Sequence, residues 1–322
     1  MQRRIRAAGY VLVLIPAIGL AADAPTSQSL EQRAEDWLKQ ATISAPPESL
    51  KLDPFYKKYV PVFEIPIVAS EKAHDAALLE VGYLVNMMLG NRPDICKAMV
   101  RSNTRLAVIA HAEFTTDLPE FADMTPKDWW DRRARGMGAQ PERPVMTSGE
   151  ENLLALEGDP YKTEGIFVHE FAHAIQDVGL AFVDPDFNKR LTAAYDNAKS
   201  LGKWKGKYAM NNIHEYWAEA VQSYFGTNRE HDHDHNHVNT RTELAEYDPP
   251  LYELVHSALG PNDWQYTSPR DRAEMPHLAR LDRGTLPRFK WPERLAKEAQ
   301  ALEDLKRRKL LEAGEQAAPK AQ

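Results

Sequence analysis

Cysteine is almost missing from this chain: Cys96 is the single one in 322 residues. No intrachain disulfide can form, so apolar packing, with any bound metal, must hold the fold. Cys96 lies in the helix-like stretch 93–100 and reads as a small buried apolar residue. A basic excess is missing too, with 40 Lys and Arg against 47 Asp and Glu. That balance argues against nucleic acid, or an anionic membrane surface, as the main partner. The N-terminal apolar run Ala7–Ala22 is short for a bilayer span and is broken by Pro16. It comes after Arg3, Arg4 and Arg6 and ends in small residues, so 1–22 reads as a signal peptide cleaved near Ala21 or Ala22. An uncleaved anchor is the alternative. The expectation is a secreted or periplasmic protein with no stable membrane association after cleavage.

Residues 23–50 are rich in Ala, Ser, Pro and Glu and read as a linker with one short helix near Leu30–Gln40. Residues 51–290 read as one catalytic domain, and 291–322 as a charged, amphipathic helical tail. Within the domain, 62–68 and 104–110 read as strands and 71–89 as a helix. A further helix is expected near 126–135, then an extended piece at Pro144–Ser148 or Asn152–Leu156. Trp129, Trp130, Trp217 and Trp264 read as core fillers. The pattern is α+β.

What is present is a metal-ligand spacing. His169-Glu170-Phe171-Ala172-His173 sets two imidazoles at i and i+4, so on a helix both can bind one ion. Glu170 stands where it can take a proton from water at that ion. Ile166, Phe167, Phe171, Ala174, Ile175 and Val178 supply the apolar spacing, and Gly179 offers a stop. Downstream, a second helical pattern capped by Asn211 or Asn212 carries Glu215 and Glu219 at i and i+4. Two bare carboxylates so stacked repel by about 0.2–0.5 kcal/mol. A cation on Glu215, with Glu219 hydrogen-bonded to a ligand histidine, reverses that; otherwise both face solvent. Two histidines and a glutamate would form a catalytic zinc (Zn2+) shell with one position open. His214 points away from Glu215 around the helix and reads as structural.

HExxH with a distant downstream ExxxE helix resembles the gluzincin branch of the zincin metallopeptidases, and within it peptidase domains of the anthrax lethal factor type. The resemblance covers roughly 165–225. It implies a zincin-like fold, a mixed sheet with an HExxH active-site helix and a second ligand-bearing helix. It implies His169, His173 and Glu215 as zinc ligands, Glu170 as base and Glu219 behind a ligand. It also implies Tyr208, seven residues before Glu215, as the oxyanion donor. In such folds an exposed edge strand pairs with extended substrate backbone; either extended piece above could serve.

One motif stays outside that set. His231, Asp232, His233, Asp234, His235, Asn236 and His237 concentrate four histidines in seven residues. Three readings are open: a second metal site for a transition metal, a calcium (Ca2+) loop, or a hydrogen-bonded polar loop. For calcium, Asp232, Asp234, Asn236, Val238 and Glu243 fit the spacing, but His237 and Asn239 depart from it. The sequence thus points to an exported zinc metallopeptidase acting on peptides or proteins. Its rival is a non-catalytic, zinc-binding or metal-buffering protein that uses the 231–237 run.

Overall fold

Alternating apolar residues build the sheet of this computed structural model, which describes residues 28–302 and 304. The expected signal peptide and the end of the charged tail lie outside them. Its central strands are β2 (Ile65–Ala69), β3 (Arg105–Ile109) and β5 (Val145–Gly149). Ile67, Leu106, Val108 and Met146 point into the main core, while Val68, Ala107, Ile109 and Val145 meet Leu118 and Phe121 on the other face. Both faces are covered, as parallel strands require, and these three are parallel. β1 (Lys58–Val62) and β4 (Gly136–Met137) pair antiparallel at the two edges, giving the order β1-β2-β3-β5-β4. The architecture is α+β, with one five-stranded mixed sheet among the described residues.

Three expectations need correction, and the tail gains a contact. The stretch 62–68 is a hairpin rather than one strand: Phe63 and Glu64, with φ of 47° and 66°, turn the chain between β1 and β2. Two positive φ values make a turn of the primed kind, usually announced by Asn or Gly, and here neither is present. The supposed linker holds α1 (Leu30–Gln40), which buries Leu30, Ala34 and Leu38 on α2 (Asp75–Leu89) and donates from Trp37 to Pro61 O at 3.0 Å. An i, i+4, i+8 apolar face makes it part of the core. Trp217 and Trp264 are buried, but Trp129 and Trp130 sit half-buried on α4 (Lys127–Arg133), too short and peripheral to reach the core. The charged tail is docked at its start, with Leu295 buried and Arg294 paired to Asp131 at 2.8 Å.

Of the two extended candidates, 144–148 becomes β5, while 152–156 falls in α5 (Glu150–Leu153) and the turn after it. Cys96 is buried in α3 (Pro93–Arg101). The HExxH segment forms α6 (Ile166–Ala174). Gly179 does not stop it: a π-helical turn, Ile175–Leu180, carries the chain into α7 (Ala181–Val183). Gly179 is there for closeness, since a Cβ on it would lie 2.7 Å from Cγ2 of Ile95 in α3. By length and composition Ile166–Val183 could cross a membrane, yet 67% of that window is buried within the fold. α8 (Phe187–Ser200), α9 (Ile213–Phe225), α10 (Arg241–Tyr247) and α11 (Pro249–Leu259) complete the helical layer.

Candidate metal centre

Two helices meet at the site, and each is fixed at its end. Asn152 reaches from α5 to accept from the Ile166 amide at 2.9 Å, satisfying a free donor at the start of α6. On α9 the cap is Asn212, whose side chain accepts from the amides of His214 and Glu215 at 2.9 and 3.0 Å. Trp217, fully buried, donates from Nε1 to Ala172 O at 2.8 Å and so locks the register of α9 against α6.

That register brings His169, His173 and Glu215 together. Nε2 of His169 lies 3.2 Å from Nε2 of His173 and 3.1 Å from Oε2 of Glu215, and the third side, His173 to Glu215, is 3.5 Å. Ligands about 2.0–2.1 Å from one tetrahedral ion stand about 3.3 Å apart. The triangle has that size, so the residues fit a zinc ion with a position left open. Glu170, one residue from the first imidazole, faces β4: a Cβ on Gly136 would lie 2.7 Å from its Cγ. Burial holds the Glu170 carboxyl above the usual carboxylate range, with His169 and His173 pulling the other way. Burial works against charge on His169 too, but Glu215, Glu170 and Glu219 outweigh it and push the imidazole up to about 10. Burial works against charge on Glu215, yet its pKa is held below the usual range because both histidines lie against it.

Tyr208 is at the same mouth. Its hydroxyl donates to Oε1 of Glu215 at 3.0 Å, and its pKa is raised, chiefly by burial and then by Glu215. His214 stays outside the triangle, 45% exposed, with Nδ1 3.5 Å from Asp177.

The expected role of Glu219 needs revision. Its Oε1 is 3.7 Å from Nδ1 of His169, beyond a hydrogen bond, whereas Oε1 of Gln222 is at 2.8 Å. Gln222 therefore fixes that ring. Glu219, almost fully buried, is met through Oε2 by Asn228 at 3.0 Å and by His235 at 3.3 Å. The signal for Gln222 was available: Glu215, Glu219 and Gln222 fall at i, i+4 and i+7, one face of a helix.

The 231–237 run is a polar loop that backs this site. Asp232 Oδ1 accepts from the amides of Asp234 and His235 and from Nδ1 of His235, and Asn236 caps the Val238 amide. Glu243 is spent on the N-terminus of α10. Those oxygens are turned onto the backbone and away from a calcium ion, which leaves the polar-loop reading as the one this geometry supports. Among the described residues, the groups close enough to share an ion are His169–His173–Glu215 and Glu164–His169–Glu219, neither of which draws on the loop. The second trio is not a separate site, because Gln222 holds His169 Nδ1 and Arg229 pairs with Glu164 at 2.9 Å. The loop also fixes Tyr208, whose amide donates to Asp234 O at 2.8 Å.

Neither expected extended piece is the free edge; β4 is, two residues long and beside the helix that bears the histidines. It comes this close through glycine: a Cβ on Gly138 would stand 2.5 Å from Cβ of His173. Its approach is anchored by Arg135, buried and paired with Glu151 at 2.6 and 2.7 Å. No known protein family model matches the chain, and no curated protein matches it.

Proposed function

We propose that this chain is a zinc-dependent peptide hydrolase with a zincin-like domain of the gluzincin type. The observation that carries the reading is the triangle of His169, His173 and Glu215, with sides of 3.1 to 3.5 Å and Glu170 next to it. A zinc ion held there would supply Lewis acidity to a water and to a substrate carbonyl. Glu170 takes the proton as the carbonyl is attacked and returns it to the leaving amine, and its raised pKa suits a group that must hold that proton between steps. Tyr208, released from Glu215, donates to the oxygen that becomes negative. Peptide backbone is the substrate class because β4 offers an unpaired strand edge alongside Glu170 and His173. An N-terminal export signal would place this activity in the periplasm or outside the cell.

Incubation of the zinc-loaded protein with a diverse peptide library, read by mass spectrometry, tests the reading. Glu170→Gln should keep one zinc and lose cleavage by about 10²-fold or more, and His173→Ala should lose the metal. A Glu170→Gln protein as active as the parent would remove Glu170 from the mechanism. The metal-buffering alternative lacks an assembled ligand set in the 231–237 loop.

A further inference from the structure

Arg133, the last residue of α4, comes three residues before the edge strand and is solvent-exposed. Three residues from Gly136, which abuts Glu170, its guanidinium lies within electrostatic reach of Tyr208, Glu170 and Tyr161. The neighbouring arginines are engaged elsewhere. Arg132 lies 4.4 Å over the Trp291 ring, Arg135 is sealed against Glu151, and Arg143 pairs with Asp123. Among the described residues Arg133 forms no ion pair. A planar fork of five donors thus stands beside the edge strand at the mouth of the site, in a net acidic protein, with donors left to offer.

The edge strand gives that cation a direction. β4 runs from Gly136, against Glu170, towards Gly138, against His173. An added strand pairs slightly better antiparallel than parallel. An antiparallel guest runs from the Gly138 end to the Gly136 end, so its residues beyond the scissile bond are carried towards Arg133. Resting on the peptide-hydrolase reading, we infer that Arg133 anchors a substrate carboxylate on the C-terminal side of the cleaved bond. That carboxylate is either the chain's own terminus or an Asp or Glu side chain.

Four matched peptides separate the sources: Asp or Asn after the scissile bond, each with a free or an amidated C-terminus. Binding is measured to the zinc-loaded Glu170→Gln protein, which needs no turnover. The carboxylate-bearing peptides should bind about 10- to 100-fold tighter, as a charge-assisted pair implies. Preference for the free terminus assigns the chain end; preference for Asp assigns the side chain. Adding Arg133→Gln should erase the preference, and Arg133→Lys should keep part of it. Equal affinity for all four peptides overturns the inference, as does a preference that survives Arg133→Gln. In the Glu170-containing protein, Arg133→Gln should change the cleavage ratio between peptides. An equal fall in kcat for all four, with ratios unchanged, would show that Arg133 acts only through Tyr208. Carboxylate preference without cleavage of any peptide would retain the anchor and remove the hydrolase reading.

Discussion

Oε1 of Gln222 stands 2.8 Å from Nδ1 of His169, so the ring facing the ligand triangle is oriented by an amide and not by the nearby carboxylate. With Nδ1 carrying the proton, Nε2 keeps its lone pair for a metal. Gln222→Leu should lower zinc affinity about 10- to 100-fold, measured by competition with a chelator, while Gln222→Glu should keep it. Unchanged affinity in the leucine variant would show the contact to be incidental.

Gly136 and Gly138 test which part of the site β4 touches. An Ala at 136 puts its Cβ 2.6 Å from Ile166 Cγ2 and 2.7 Å from Glu170 Cγ, so Gly136→Ala should impair cleavage with zinc retained. An Ala at 138 meets His173 at 2.5 Å, so Gly138→Ala should weaken zinc binding as well. Zinc content and cleavage rate, measured on the same preparations, distinguish the two; identical behaviour would refute the assignment.

His235 is the loop residue whose side chain meets Glu219. Burial disfavours its charge, but Glu219 and Asp232 hold its pKa above the usual imidazole value. His235→Ala strands the buried Glu219 carboxylate and should destabilise the protein by about 3 kcal/mol or more, read by denaturant unfolding. Zinc stoichiometry should stay at one per chain. Loss of additional bound ions would instead revive a second metal site.

Asp159 supplies a pH test away from the ligands. It is buried, bonded to the Tyr161 amide and to Asn152, and burial pushes its pKa up to about 6 from an ordinary 3.8. The folded state therefore holds that proton more tightly than the unfolded chain. The contribution of Asp159 to stability is greatest below about pH 4, falls as pH rises to about 6, and then levels. Against Asp159→Asn, which lacks the titration, the parent's relative stability should drop by about 3 kcal/mol across that window. A flat difference between the two unfolding curves would contradict it.

The legible parts of the sequence were those with a repeat. The 3.6-residue spacing around His169 and Glu215 located α6 and α9, and a short continuous apolar run located β3. The features that escaped lack a local pattern. β4 is two residues long, and Phe63-Glu64 turns the chain without glycine or asparagine. His235 meets Glu219 from a loop sixteen residues further on, a contact that only tertiary folding creates. Arg133 is one cation among many until the fold sets the end of α4 beside the mouth.

The brevity of β4 bears on how this protein behaves towards copies of itself. An open sheet margin is ordinarily a template on which identical chains stack into fibres. Two residues offer too few hydrogen-bonding groups to sustain such growth. On the proposed reading, a passing extended chain would still be received there, with side-chain contacts and a bound metal supplying the rest of its grip.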